Sequence, residues 1–381
     1  MNLETEAIYM VEYYKKYLIT CLNACLNMET APAPVEEIDW HRLYRFAHQN
    51  GVENDVYLAL KDADFVPQEE MEKYEQAFET ALKKQETENE ELEELLSKFR
   101  ENNIPYLLMK GIITRKMYPL EIMRSAADID IYYLPGYTDR VRDIFFDRGY
   151  NLVFSGISSD FYKKVPYMEV EMHKQLLSPL TKIGKNFKYN PFVNGITADG
   201  LDYAMSNEDF YLFHFCHLAQ HFYESGAGIK FFMDIKILRD ILELDEEYVS
   251  LKLKKYKLTQ FHDESVKLTY YWFKNGPADD TTKTFEDYVL DYGAYGSGVI
   301  FDYNRTNFGK RNKYISAVFP NAERLAIHYP DVKENKYKVP YYWVKRAIDY
   351  KGTIRERLKT VGSYHHKDFD KIKDFYDKIG L

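Results

Sequence analysis

Asp128-Ile129-Asp130-Ile131 alternates a carboxylate with an isoleucine. Successive side chains of a strand point to opposite faces, so this spacing places both carboxylates on one face and both isoleucines on the other. The isoleucine face calls for a core. The acidic face is harder to accommodate, because two like charges held that close strain each other unless a cation sits between them. Either the pair lies on an edge strand facing solvent, or it holds a cation. Hard divalent cations take oxygen ligands, and a pair of Mg²⁺ ions is the expected partner.

The flanking residues sharpen that expectation. Ile104 to Met109 is an apolar run of strand length, Lys110-Gly111 breaks it, and Ile112 to Tyr118 reads as a short helix that Pro119 helps end. A strand that breaks at a glycine before a helix is where backbone N–H groups can meet a phosphate. Downstream, Glu169-Val170-Glu171-Met172-His173 alternates polar and apolar at period two and reads as a half-buried strand with further carboxylates. Paired carboxylates downstream of such a turn suggest two-metal phosphoryl or nucleotidyl transfer.

At 381 residues the chain has room for one large or two to three ordinary domains, and 45% hydrophobic content suffices for a substantial core. Lys+Arg 51 against Asp+Glu 60 gives a net charge of −9, which argues against general nucleic-acid binding while leaving room for a local basic pocket. Cys21, Cys25 and Cys216 are an odd set with no repeated spacing, so buried thiols in a reducing cytosol are expected, not a disulfide framework or a structural zinc site. The opening MNLETEAIYM is acidic and unlike a signal peptide, and no run approaches the roughly eighteen apolar residues of a membrane span. The expectation is a cytoplasmic protein with no membrane partner.

Residues 1–100 read as a helical region, with Ile8, Val11, Tyr14 and Leu18 at helical spacing. A long helix is expected to start at Pro67. Met71, Tyr74, Phe78 and Leu82 form its first apolar stripe and Leu92, Leu95, Leu96 and Phe99 its second, while the charged stretch Lys83 to Glu91 reads as a solvated face. Residues 101–204 carry the strand signals. After the strand Asp128 to Tyr133, Thr138 is placed to cap a helix that Gly149 ends, and Tyr150 to Phe154 is another strand. Ser206 with Asp209 makes a capping-box start, and residues 205–381 read as mostly helical. The expected class is α+β, with a mixed-sheet core flanked by N-terminal and C-terminal helical regions.

Lys110-Gly111, Tyr118-Pro119, Arg124, Asp128-Ile129-Asp130-Ile131, Gly149-Tyr150 and Glu171-Met172-His173 follow one another in an order that resembles the bacterial uncharacterised nucleotidyltransferase family of the DNA polymerase β superfamily. Phe319-Pro320, Tyr329-Pro330, Val339-Pro340, Trp343 and Arg346 are similar too, so the resemblance spans about residues 90–350. It implies a polymerase-β-like core and a Mg²⁺-dependent transferase that moves a nucleoside monophosphate from a nucleoside triphosphate, ATP included, to an acceptor. That acceptor would be a hydroxyl on a small molecule, sugar or protein, and pyrophosphate would be released. Asp128, Asp130 and Glu171 would be the metal-binding and catalytic residues, the Glu-x-His pattern selecting Glu171 over Glu169. Two Mg²⁺ ions would be the cofactors. Lys110, Gly111, Arg124 and His173 fall to nucleotide binding, although Arg124, four residues before Asp128, could instead hold that aspartate in place. One departure is that Ile112 follows Gly111 where the wider superfamily has a second small residue. This motivates an alternative, a nucleotide-binding or scaffolding protein of the same fold without chemistry.

Two further features need the fold to place them. His214, His217 and His221 line one helix face, either packed, facing a pocket or binding a metal for hydrolysis. Lys230 and Asp234 lie four apart on the next helix, either as an internal ion pair or with Lys230 reaching the triphosphate.

Overall fold

The period-two stretches build a seven-stranded mixed sheet in a computed structural model that describes residues 3–179, 181–292, 331–349 and 366–381, with Phe319, Ala322, Leu325 and Tyr329. The strands are β1 (Tyr106–Leu108), β2 (Ile129–Tyr133), β3 (Asn151–Ser155), β4 (Ser159–Lys164), β5 (Met168–His173), β6 (Ile196–Thr197) and β7 (Asp202–Ala204). Their order is β3-β4-β5-β2-β1-β7-β6. The central strands β2 and β5 run parallel, with Asp130 opposite Glu171, while β1 and β4 pair antiparallel on either side.

Helices surround this sheet: α1 (Leu3–Leu26), α2 (Trp40–Asn50), α3 (Glu53–Leu60), α4 (Gln68–Glu101), α5 (Gly111–Thr114), α6 (Thr138–Asp147), α7 (Lys182–Asn186) and α8 (Pro191–Asn194). They continue as α9 (Asn207–Glu224), α10 (Ile229–Ile241), α11 (Glu246–Tyr256), α12 (Thr259–Lys274) and α13 (Asp280–Tyr292), with a last helix at His366–Ile379. The protein is thus α+β with flanking helical regions, as its patterning predicts.

Alternation assigns the two faces of the sheet. Ile129, Ile131 and Tyr133 of β2 join Val170 and Met172 of β5 under Leu95, Leu96 and Phe99 of α4 and Val141, Ile144 and Phe145 of α6. Phe145 stacks on Tyr162 with centroids 4.1 Å apart. Each such side chain contributes on the order of 1.5–3 kcal/mol through burial. A second core joins Leu18, Leu22, Leu43 and Val56 of the N-terminal helices to Phe213, Phe232, Phe261 and Phe375 of the C-terminal ones. The opposite face of β2 and β5 carries Asp130, Glu171 and His173.

Four expectations change. The long helix begins at Gln68, with Pro67 in the cap position. Its charged middle is solvated only on one side: Lys83, Glu86, Asn89 and Glu90 are exposed, whereas Glu88 is buried against Arg115 and Lys84, and Glu91 receives Arg148, Lys164 and Tyr150. Helix α6 starts at Thr138 itself, whose hydroxyl meets that of Tyr133 at 3.0 Å and caps no backbone N–H. Strand β4, whose sequence SDFYKK lacks an apolar run, and the short pair β6–β7 extend the sheet beyond the strands read from periodicity. Gly149, at φ +78°, ends the α6 turn as expected. All three cysteines are buried and free.

The capping start at Ser206 is realised, its Oγ accepting the Asp209 N–H at 3.2 Å. Ser206→Ala is expected to lower stability by about 1 kcal/mol, read as a lower urea midpoint at unchanged slope.

Candidate active site

The parallel register of β2 and β5 brings the acidic faces of both strands together. Asp130 Oδ1, Glu171 and His173 each offer one ligand atom within 4.8 Å of the others, the spacing of a set that could hold a divalent metal. His173 Nε2 lies 2.7 Å from Asp130 Oδ1 and 3.3 Å from Glu171 Oε2. Ser159 Oγ donates to Glu171 Oε1 at 2.5 Å from the neighbouring strand β4. Lys110 Nζ donates to Asp130 Oδ1 at 2.6 Å. Asp128 stands one residue before β2, half-buried on the wall of the same cleft and outside this tight group. Glu169 instead pairs with Lys163 at 2.5 Å, which leaves Glu171 as the strand's carboxylate at the cluster.

Electrostatics separate the carboxylates. Burial, then the charge of Asp130, pushes the Asp128 carboxyl up to about 7. Burial acts the same way on Asp130, but the charge of Lys110 and the His173 hydrogen bond outweigh it and hold Asp130 below its ordinary value. Glu171 is likewise held well below, burial being overcome by His173, Lys110 and Ser159. His173 is raised: burial and Lys110 oppose its charge, but the bonds to Asp130 and Glu171 prevail. Of the three carboxylates at the cleft, Asp128 thus resists ionisation, as expected where negative charge exceeds the resident cations.

The turn between β1 and α5 has its strain at Lys110, not at the glycine. Lys110 adopts φ +52°, ψ −132°, a region a side chain rarely occupies. Its carbonyl then accepts from the N–H groups of Ile113 and Thr114. Gly111 is the first residue of α5, where an added Cβ would meet Ala126 Cβ and Arg124 Nη1 at 3.5 Å, ordinary contact. The glycine leaves the start of α5 bare toward the cleft.

That cleft encloses about 510 Å³ between the ends of β2 and β5, the middle of α4, and the facing sides of α9 and α10. Arg124 and Lys230 line it as well. Asp234, fully buried, accepts from Arg124 Nε at 2.7 Å and from the Tyr118 hydroxyl at 2.7 Å. Arg124 therefore secures Asp234 and does not brace Asp128. The Lys230–Asp234 ion pair does not form; Lys230 Nζ donates to Ser125 Oγ at 2.9 Å. Burial, then the charge of Arg124, holds Lys230 below its ordinary value. Lys84 Nζ donates to the carbonyls of Ala126 and Ala127, just before Asp128. His214, His217 and His221 all face the cleft.

Sequence reasoning missed Ser159, Asp234 and Lys84. Ser159 and Lys84 act through contacts across 12 and 42 residues, which no local pattern announces. Asp234 was read only against its helical neighbour.

A family profile described as uncharacterised nucleotidyltransferase matches residues 36–274. The match starts before and ends before the span 90–350 suggested by motifs, so it includes α4 and excludes the Phe319 to Arg346 signature. Of that signature, Pro320, Pro330 and the side chain of Arg346 lie outside the described residues. No curated protein and no solved structure matches the chain. Among the described residues no helix is long and apolar enough to cross a membrane. With well over half its length matched and the acidic cluster seated in an α+β core, the chain belongs to the uncharacterised nucleotidyltransferase family.

Proposed function

We propose that the protein catalyses Mg²⁺-dependent transfer of a nucleoside monophosphate from a nucleoside triphosphate to a hydroxyl-type acceptor, with release of pyrophosphate. The convergence of Asp130 and Glu171, tied together by His173, at the wall of a cleft that also holds Asp128, Lys110, Arg124 and Lys230 supports it best. Two Mg²⁺ ions would supply charge neutralisation of the triphosphate and a lowered proton affinity of the attacking hydroxyl. Asp128, Asp130 and Glu171 would hold them. His173 and Ser159 fix the orientation of Asp130 and Glu171. Lys110, the resident counter-charge of Asp130, can exchange that carboxylate for a phosphate oxygen. Arg124 and Lys230 supply cationic donors to the phosphate chain, and Gly111 leaves backbone room beside it.

Nucleotide binding without turnover is the alternative, favoured by Lys110 and His173 both engaging Oδ1 of Asp130. Incubating the purified chain with each nucleoside triphosphate, Mg²⁺ and a panel of hydroxyl acceptors decides between them. Pyrophosphate release that stops when Mg²⁺ is removed is the expected result. Mg²⁺-dependent binding with no pyrophosphate supports the alternative, and no binding rejects both.

The proton balance gives an independent check. Asp128, raised from 3.8 to about 7, keeps its proton in the folded chain where the unfolded chain has lost it, so the stability it contributes is lost as pH rises across that window. His173, also raised, contributes stability that is present below its unfolded value and lost as pH rises through its folded one. Both changes leave the cluster more negative above neutrality. Mg²⁺ is therefore expected to raise the melting temperature more at about pH 8 than at about pH 5.5. Equal shifts at the two pH values would count against metal binding at these carboxylates.

A further inference from the structure

The cleft has two chemically distinct parts. The carboxylates and the cations Lys110, Arg124 and Lys230 form the charged part. The other is aromatic, formed by the histidines of α9 and by Phe231 of α10, next in the chain to Lys230, and Phe231 is the only carbocyclic aromatic ring among the described lining residues. Three imidazoles surround it, their centroids 6.0 Å (His214), 5.6 Å (His217) and 5.4 Å (His221) from that of Phe231. His217 and His221 share a hydrogen bond, Nε2 to Nε2 at 2.9 Å. Because one Nε2–H donates to the other Nε2, at least one of the two rings is neutral. Burial, and next the charge of Lys110, disfavours the imidazolium form of both, so the pair is uncharged near neutrality.

The same bond fixes the ring of His221. Its Nε2 is engaged by His217, and its Nδ1 has no protein partner among the described residues. His221 and Phe231 are each only partly buried, whereas His217 is buried behind them with Nδ1 lacking a partner. A neutral aromatic wall with unused hydrogen-bonding nitrogens, that of the part-buried His221 among them, suits a flat, uncharged, polar-edged ring, and does not suit a phosphate. Stacking on an aromatic face is tolerant of ring identity, and the hydrogen bond to an edge is selective.

We infer that Phe231 and His221, with His217 as the positioning residue, form the subsite for the nucleobase of the triphosphate. This rests on the triphosphate reading above and extends it, dividing the cleft into a phosphate half and a base half. His221 would hydrogen-bond the base edge through Nδ1, and Phe231 would offer its ring as the stacking surface.

The test uses the full chain with Mg²⁺ and titrates ATP, GTP, CTP, UTP and inorganic tripolyphosphate by calorimetry. At least one nucleoside triphosphate should bind more tightly than tripolyphosphate. His221→Ala and Phe231→Leu should each weaken that nucleotide about tenfold, the loss expected of one hydrogen bond or one stacking contact, and leave tripolyphosphate unchanged. His217→Phe, which keeps a ring but removes the shared hydrogen bond, should weaken the nucleotide less than His221→Ala does. Equal binding of all five ligands by the wild type overturns the base subsite while sparing the triphosphate reading. Variants that weaken tripolyphosphate as much as the nucleotide, or that weaken neither, also overturn it. Stoichiometric zinc on the purified chain, lost in His217→Phe and His221→Ala, would make the pair a metal site and overturn it as well. Failure of all five to bind the wild type overturns both readings together.

Discussion

Asp130→Asn is expected to lower nucleotidyl transfer by about a thousandfold or more, about 4 kcal/mol of transition-state stabilisation. Asp130 contacts both Lys110 and His173, and it faces Glu171 across the parallel ladder. An amide in its place keeps the shape but offers one neutral oxygen where the cluster has a carboxylate, and the Mg²⁺-dependent rise in melting temperature should shrink with the rate. The amide also removes the like charge that helps hold Asp128 up, so Asp128 should titrate lower in the variant. Single-turnover pyrophosphate release and a pH titration followed by NMR of the aspartate carboxyls check the two parts separately. A variant that turns over within about tenfold of the wild type would remove Asp130 from the chemistry.

Arg124→Met should cost about 3–5 kcal/mol of folding stability, because it leaves the fully buried Asp234 without its guanidinium partner. The Tyr118 hydroxyl, 2.7 Å from Asp234, cannot replace that charge. Replacing both partners with apolar residues, Arg124→Met with Asp234→Leu, should recover most of the loss, since an ion pair exchanged for packed apolar volume is often neutral. The proposed phosphate contact predicts a different pattern for binding: triphosphate affinity should stay weak in the double variant although stability returns. Urea denaturation gives the first quantity and calorimetry the second. Recovery of both would make Arg124 a structural residue only.

How much of this was legible in the sequence varies with the range of the interaction. The face of β2 that carries Asp130, and the face of β5 that carries Glu171 and His173, follow from alternation alone, since a strand's pleat fixes which residues share a side. The start of α9 at Ser206 and the stop of α6 at Gly149 were legible for the same reason, as caps are local backbone chemistry. The charged middle of α4 was only half legible. Its composition is that of a solvated surface, and only tertiary contacts bury Glu88 against Arg115 and tie the part-buried Glu91 to Lys164. Arg124 and Asp234 are 110 residues apart, and Lys230 was paired with Asp234 because helical spacing is visible in a sequence whereas a contact across two elements is not.

The sequence by itself determined that a strand with two carboxylates on one face had to be accommodated, that helices flank it, and which residues line each element. Tertiary structure decided that β2 and β5 run parallel and in register, so that Asp130, Glu171 and His173 meet while Asp128 stands apart. It also decided that Lys110 takes the strained turn and the histidines face the cleft. The reason is physical: periodicity is set by the local geometry of the backbone, whereas register, partner choice and burial are set by which surfaces the whole chain brings together.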